Sequence, residues 1–113
     1  MLPQISWEDF ARVDVRVGRI TRVEEQPRAR QPSYRVWVDF GPQLGVRQSS
    51  AKLTRLYARE ALLGRQVLAV VNFPPRQVAD VRSEVFILGA MLDAQTVVLV
   101  QPEREVPEGT RLM

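Results

Sequence analysis

The stretch from Gln66 to Ala90 decides the fold, and its sequence is QVLAVVNFPPRQVADVRSEVFILGA. Two apolar runs of strand length, at 67–73 and 85–89, flank a loop that holds two prolines and most of the local charge. The pattern predicts strand, loop and strand. Successive strand residues point to opposite faces, and neither run alternates cleanly, so both faces should be covered. Because a lone small barrel covers only one face, we expect a second copy of the chain to cover the other.

The segments before this stretch predict further strands. Residues 13–17 alternate Val with charged residues, which is typical of a half-buried strand, and we expect Gly18 to host the bulge that resets the period. Residues 34–40 also alternate, and 96–100 form another apolar run. Helical turns are predicted within 53–63, closed at Gly64. The order of these segments predicts an all-β chain, an OB-fold five-stranded Greek-key barrel with short helices and terminal extensions.

The outer face of this barrel carries candidate ligand contacts. The alternation at 34–40 leaves Trp37 opposite the apolar face, on the strand with which OB-folds commonly bind ligands. Burial of Trp37 under a helix or a subunit contact is an equal alternative. The segment 46–51 is polar for a strand, so it is expected to present Arg47, Gln48, Ser49 and Ser50 as a groove wall.

The N-terminal segment predicts a short helix. Ser6 and Asp9 have nearly the spacing of a capping box, which places a helix at about 7–12. Trp7 and Phe10 lie three apart on one face of it and must contact something apolar. That contact is either the end of the chain's own barrel or a dimer interface.

Composition excludes several classes of chemistry. The chain has 113 residues, a length that is enough for one domain with one modest core, and its formal charge is +3. It has no cysteine and no histidine, so disulfides, thiolate nucleophiles, imidazole bases and the usual zinc or haem ligands are excluded. We therefore expect no catalytic residues, no cofactor and no metal. No apolar run reaches the roughly 18 residues of a membrane span, and the first residues lack signal-peptide features, which predicts a cytoplasmic protein without membrane insertion.

The loop between the two apolar runs holds the remaining polar candidates, namely Asn72, Arg76, Arg82, Ser83 and Glu84. Two prolines stiffen the backbone before Arg76, so its guanidinium can read an anion with little ordering cost, or can pair with Asp80 or Glu84 instead. The Asn72 amide can simply cap the turn. Ser83 and Glu84 lack a suitable base and do not form a nucleophile system.

Several segments, in order along the chain, carry a family resemblance: VDVRVGRI (13–20), VDFG (38–41), SSA (49–51), NFPPRQ (72–77), SEV (83–85) and VPEGTRL (106–112). With them the chain resembles the CsaA family of bacterial export-related chaperones, and more distantly the tRNA-binding domain fused to methionyl-tRNA synthetases. In those cousins the serine is followed by a Gly-Met pair, whereas Ser83-Glu84 is followed by Val85-Phe86, which favours the CsaA branch.

The resemblance implies a single OB-fold domain over 1–113, with its core at about 8–113, that forms a homodimer. Together with the strand and loop patterns above, it predicts a peptide- or tRNA-binding surface that consists of Trp37, Arg47, Ser49, Asn72, Phe73, Arg76, Arg82, Ser83 and Glu84. It assigns the dimer interface to Trp7, Phe10, Val85 and Phe86.

Two functional hypotheses follow. The first is a homodimeric chaperone that holds unfolded precursor polypeptides ahead of export, with the export machinery as a further partner. The second is an accessory tRNA-binding module. Peptide binding driven by apolar burial should respond weakly to salt, whereas tRNA binding should respond steeply.

Overall fold

The computed structural model describes all of residues 1–113. Two short helices, α1 and α2, and nine strands, β1 to β9, make up the regular structure. In chain order they are α1 Trp7–Ala11, β1 Val15–Glu25, β2 Tyr34–Asp39, β3 Val46–Ala51, α2 Arg59–Leu62, β4 Gln66–Val70, β5 Arg76–Val78, β6 Val81–Ser83, β7 Phe86–Ile87, β8 Gly89–Asp93 and β9 Thr96–Leu99. Neither helix has the length and apolar character that crossing a bilayer requires.

Five strands form a nearly closed antiparallel barrel in the order β3-β2-β1-β4-β7. The last gap lies between β3 and the segment just before β7. There the amide of Glu84 donates to the carbonyl oxygen of Gln48 at 2.9 Å. This arrangement confirms the predicted OB-fold barrel.

The long strand β1 belongs to both halves of the barrel, since its residues 15–19 pair with β4 and its residues 19–25 pair with β2. The register shift lies between Ile20 and Arg22, not at Gly18, so the predicted bulge position is wrong. Gly18 serves close packing instead. A Cβ there would lie 2.7 Å from Cε1 of Phe40 and still nearer to Val38, so a side chain would displace the core.

Strand β4 is buried at every position, and one copy of the chain covers both of its faces. Val67 and Ala69 belong to the main core inside the barrel. Leu68 and Val70 pack on the other face with β1, and Val106 and Leu112 pack against them. The expectation that a second copy covers this face is therefore wrong, because the C-terminal segment 106–112 covers it.

That C-terminal segment is held by backbone hydrogen bonds to the edge of β1 that β2 leaves free. The amides of Gly109 and Leu112 donate to the carbonyl oxygens of Val17 and Val15 at 2.7 and 2.9 Å. Arg19 donates to carboxylates of Glu105 and Glu108, each at 2.6 Å. The C-terminal extension is thus a short segment that pairs with β1 at one position, between residues 16 and 111.

Helix α1 has the predicted capping box. The amide of Asp9 donates to Oγ of Ser6, and the amide of Ser6 donates to the Asp9 carboxylate, both at 3.1 Å. The helix buries no residue, and Trp7 is 89% exposed. In the predicted 53–63 helix only Arg59–Leu62 is α-helical, and of its leucines Leu53 and Leu62 are buried whereas Leu56 and Leu63 are about half exposed.

The second apolar run of the deciding stretch is divided. Residues 86 and 87 pair with β4, whereas β8 begins at Gly89 and turns away to form a hairpin with β9. The charged loop between the runs also contains a hairpin, β5–β6, which the sequence pattern did not predict. These hairpins border the barrel and create the surface described next.

Candidate binding surfaces

An open groove with a volume of about 710 Å³ runs between the end of β3, the loop after β4 and the β8–β9 hairpin. Apolar side chains make up 11 of its 18 lining residues. The full lining is Ser50, Ala51, Lys52, Leu53, Phe73, Pro74, Arg76, Val78, Ser83, Glu84, Val85, Phe86, Ile87, Leu88, Gly89, Met91, Ala94 and Val97. Its size and apolar character are typical of a binding site.

Two aromatic rings stand at the groove. The centroids of Phe73 and Phe86 are 6.2 Å apart, and their ring planes are tilted by 58°. Phe73 is 53% exposed although it is a large apolar side chain. Binding of a ligand over exposed aromatic surface of this kind is favourable, because it removes apolar area from water.

The polar wall of the groove is built on the free edge of β3. The amide of Ser50 donates to Oγ of Ser83 at 3.1 Å, and the amide of Gln48 donates to Oε1 of Glu84 at 3.1 Å. Ser83 and Glu84 therefore satisfy backbone donors of an edge strand. Their first role is to close the barrel, and they line the groove from that fixed position.

Arg76 lines the groove on β5, directly opposite Ser83. The carboxylates of Asp80 and Glu84 both lie beyond 4 Å from its guanidinium, since every ion pair in the structure involves other arginines. Of the two alternatives for Arg76, the ion pair is therefore not formed. Its charge is free to meet a ligand.

A second surface lies on the outside of the barrel, where Trp37 of β2 faces outward. The guanidinium carbon atoms of Arg22 and Arg35 lie 4.5 and 4.7 Å from the centroid of its ring. Arg35 also donates to the side-chain oxygen of Gln48 at 2.9 Å, and Arg22 pairs with Glu24. Trp37 is half-buried by these neighbours rather than by a helix. A basic surface around an aromatic ring suits stacked bases and phosphates.

The sequence as a whole matches the family model described as "Putative tRNA binding domain" over residues 15–111. The chain belongs to the tRNA-binding-domain family. Within this family, it is CsaA-like: the structure of chaperone CsaA from Bacillus anthracis is 47% identical, with a TM-score of 0.93, and the match covers 98% of this chain and 100% of that one. The CsaA chaperone from Picrophilus torridus is 37% identical, with a TM-score of 0.90, and the match covers 97% of this chain and 100% of that one.

Relatives with a different domain organisation match the same region. The methionine–tRNA ligase of Thermococcus kodakarensis is 38% identical over 108 residues, which is 96% of this chain and 14% of the ligase. That of Methanosarcina acetivorans is 35% identical over 111 residues. This CsaA-like chain thus spans about 15% of the length of these relatives.

Three predicted binding residues of the CsaA-like chain lie away from both surfaces or inside the barrel. Arg47 and Ser49 pair with Val38 and Val36, so they face inward, and Ser49 is only 2% exposed. The prediction that they present a ligand-facing wall is wrong, because the strand period gives that face to Gln48 and Ser50. Arg82 is exposed opposite Gln77, on the hairpin face away from Arg76.

Asn72 belongs to the framework of the molecule. Its amide nitrogen donates to the carbonyl oxygen of Arg12 at 2.7 Å, and its side-chain oxygen accepts from the amide of Asp14 at 3.0 Å. Both ends of the amide are therefore occupied. These hydrogen bonds to backbone groups fit the capping alternative better than the binding one. The groups that Asn72 caps belong to the segment before β1 and not to the local turn.

The four residues predicted for the dimer interface differ in exposure. Trp7, Phe10 and Phe86 are exposed. Val85 is 4% exposed and belongs to the main core, so it is unavailable to a second copy. The sequence analysis did not predict Lys52, Met91 and Val97 as groove residues. The one signal in the sequence was that Lys52 is the sole lysine of the chain.

Proposed function

We propose that this CsaA-like protein is a non-enzymatic cytoplasmic chaperone, which binds unfolded precursor polypeptides before export. The observation that supports the proposal is the apolar groove with its exposed aromatic pair, Phe73 and Phe86. The likeness to proteins titled CsaA chaperones adds to it. An extended polypeptide would place apolar side chains in the groove, with Arg76 meeting acidic or polar ones.

The proposal includes a homodimer, formed by surfaces that a single copy leaves exposed. Residues 1–10 carry several large apolar side chains, and none of them is buried. Contiguous apolar surface of this kind commonly marks an interface. Two copies would bring two grooves together, and clients would be released passively or to the export machinery.

Titration of a fluorescent unfolded precursor with the protein tests the proposal. We expect saturable binding, and Phe73→Ala should raise the Kd about tenfold, because the lost ring removes apolar contact area. Leu63→Ala is the matched control, since Leu63 is 51% exposed and does not line the groove. Equal Kd values for the two variants, or no saturable binding by the wild type, would contradict the proposal.

The second candidate function is tRNA binding on the outer surface around Trp37. Two observations favour it: two guanidinium groups lie over the outward-facing ring of Trp37, and the chain matches the family model. A salt series tests it, because each neutralised phosphate adds about 0.7 to 0.9 to the log–log slope of affinity against salt. Arg35→Gln should weaken tRNA binding and lower the slope by nearly one phosphate. A flat salt response would rule out this candidate.

A further inference from the structure

A second, smaller pocket adjoins one end of the groove. It has a volume of about 60 Å³ and none of its six lining residues is apolar. They are Gln31, Pro32, Lys52, Thr54, Arg55 and Gln95. Lys52 is common to the linings of the groove and of this polar pocket, so its side chain lies at the boundary between them.

The polar pocket carries two cations whose charge is not neutralised by an ion pair. No carboxylate lies within 4 Å of Lys52 or of Arg55. Arg55 donates from Nη2 to the side-chain oxygen of Gln95 at 2.7 Å. This bond orients the guanidinium and leaves its other donors free.

Acidic groups near the pocket are already engaged. The Asp93 carboxylate accepts from the amide of Gln95 and from Oγ1 of Thr96, both at 2.9 Å. In the adjoining groove Glu84 is the single acidic lining residue, and it accepts from the amide of Gln48. The site therefore offers apolar walls and three cations without a direct ion pair, Lys52, Arg55 and Arg76. The pKa of the Asp93 carboxylate is lowered mainly by its hydrogen bonds from Gln95 and Thr96, and the nearby charge of Arg55 lowers it further.

We propose that the polar pocket binds a carboxylate of the polypeptide held in the groove, so that preferred clients carry Asp, Glu or a C-terminal carboxylate beside an apolar segment. This inference rests on the proposed chaperone function and specifies its substrate class. A guanidinium and an ammonium that share one small pocket match a carboxylate in charge and in hydrogen-bonding capacity. A pocket of about 60 Å³ admits a group of a few atoms and excludes an aromatic ring.

Two peptides with the same apolar segment test the inference, one with Glu residues after the segment and one with Gln at the same positions. Fluorescence anisotropy with the intact protein gives the Kd of each. We expect the Glu peptide to bind about tenfold more tightly, as charge-assisted hydrogen bonds typically provide. In Lys52→Met and Arg55→Gln that preference should shrink, and in the double variant the Kd values of the two peptides should become equal, whatever change the loss of Lys52 causes in the groove itself.

Arg104→Gln is the control, because it removes one positive charge from an exposed site outside both pockets. It should keep the preference. Equal binding of both peptides by the wild type would overturn the inference but leave the chaperone function standing, whereas no binding of either peptide would overturn the chaperone function itself. A preference that Arg104→Gln also abolishes, or a short 5′-phosphorylated RNA that outcompetes the Glu peptide only when Lys52 and Arg55 are present, would reject a polypeptide carboxylate as the occupant.

Discussion

Asn72 connects parts of the chain that are nearly sixty residues apart in sequence. Its side chain joins the end of the deciding stretch's first apolar run to Arg12 and Asp14, at the entrance to β1. The two hydrogen bonds hold the loop that carries Phe73 against the N-terminal segment. A residue of the family motif thus serves the position of the groove rather than contact with its ligand.

Replacing Asn72 should lower stability more than it lowers peptide affinity. In Asn72→Ala both hydrogen bonds are lost, which should cost about 1 to 2 kcal/mol of unfolding free energy. Asn72→Asp keeps the acceptor but sets a carboxylate oxygen against the carbonyl oxygen of Arg12, so it should lose at least as much stability as Asn72→Ala. Urea unfolding measures the change, and peptide titration at a temperature where each variant is folded provides the second readout. A large loss of affinity with unchanged stability would instead show that Asn72 contacts the peptide directly.

At the residue scale the strand period predicted more than the residue types did. It correctly placed Trp37 on the outer face and the alternate residues of β2 in the core. The grouping of Arg47 and Ser49 with the ligand-facing wall ignored that same period. Lys52 could not be assigned from sequence, because it reaches the groove through a turn that only the tertiary structure fixes.

At the scale of elements, the C-terminal segment is the part that the sequence placed least well. The uniform apolar character of β4 correctly predicted that both faces are covered, but periodicity does not reveal which segment covers a face. Residues 106–112 cover the second face of β4, and they are held by hydrogen bonds to residues some 40 to 90 positions earlier in the chain, such as Gln66–Val106 and Arg16–Gly109. The β5–β6 hairpin was missed because strands of three residues are too short to display alternation.

The ion pairs that hold this segment predict a pH dependence of stability. Hydrogen bonds from Arg19 lower the pKa of Glu105 and of Glu108 in the folded state. A carboxylate with a lowered folded pKa stabilises the fold above its unfolded pKa, about 4.3 for Glu, and loses that contribution as pH falls through the folded pKa. Glu108→Gln should therefore have a lower Tm than wild type near neutral pH, and the difference should vanish in acid.

Thermal unfolding across a pH series measures this difference. Glu60→Gln is the matched control, since Glu60 is exposed and makes no ion pair, and its Tm should follow wild type at every pH. If the deficit of Glu108→Gln stayed constant from neutral to acidic pH, Glu108 would stabilise the segment through packing and not through charge.

At the scale of the whole molecule, the unpartnered apolar surface is not where sequence periodicity indicated. The central strands β1, β2 and β4 enclose their apolar residues within one copy, whereas Phe86 of β7 and Met91 and Leu92 of β8 stay exposed. The exposed surplus lies instead in the first ten residues and at the groove. A capping box fixes α1 as a helix, yet the helix packs no residue against the barrel. A helix of five residues has no stability of its own in water, and beyond its capping box α1 is tied to the barrel by the hydrogen bond from Arg111 to the carbonyl oxygen of Ala11.

We therefore expect the N-terminal segment to determine the oligomeric state. Sedimentation velocity should show a dimer for wild type at micromolar concentration, and the double variant Ile5→Asp/Trp7→Asp should sediment as a monomer, because charges placed at exposed apolar positions oppose their burial. Since neither side chain is buried in one copy, unfolding of the monomeric variant should remain cooperative, and its Tm should lose the dependence on protein concentration that a dimer shows. Leu63→Asp, at a half-exposed apolar site away from the N-terminus, should remain a dimer. A wild-type protein that sediments as a monomer would leave α1 unpartnered, and each groove would then act alone on its client.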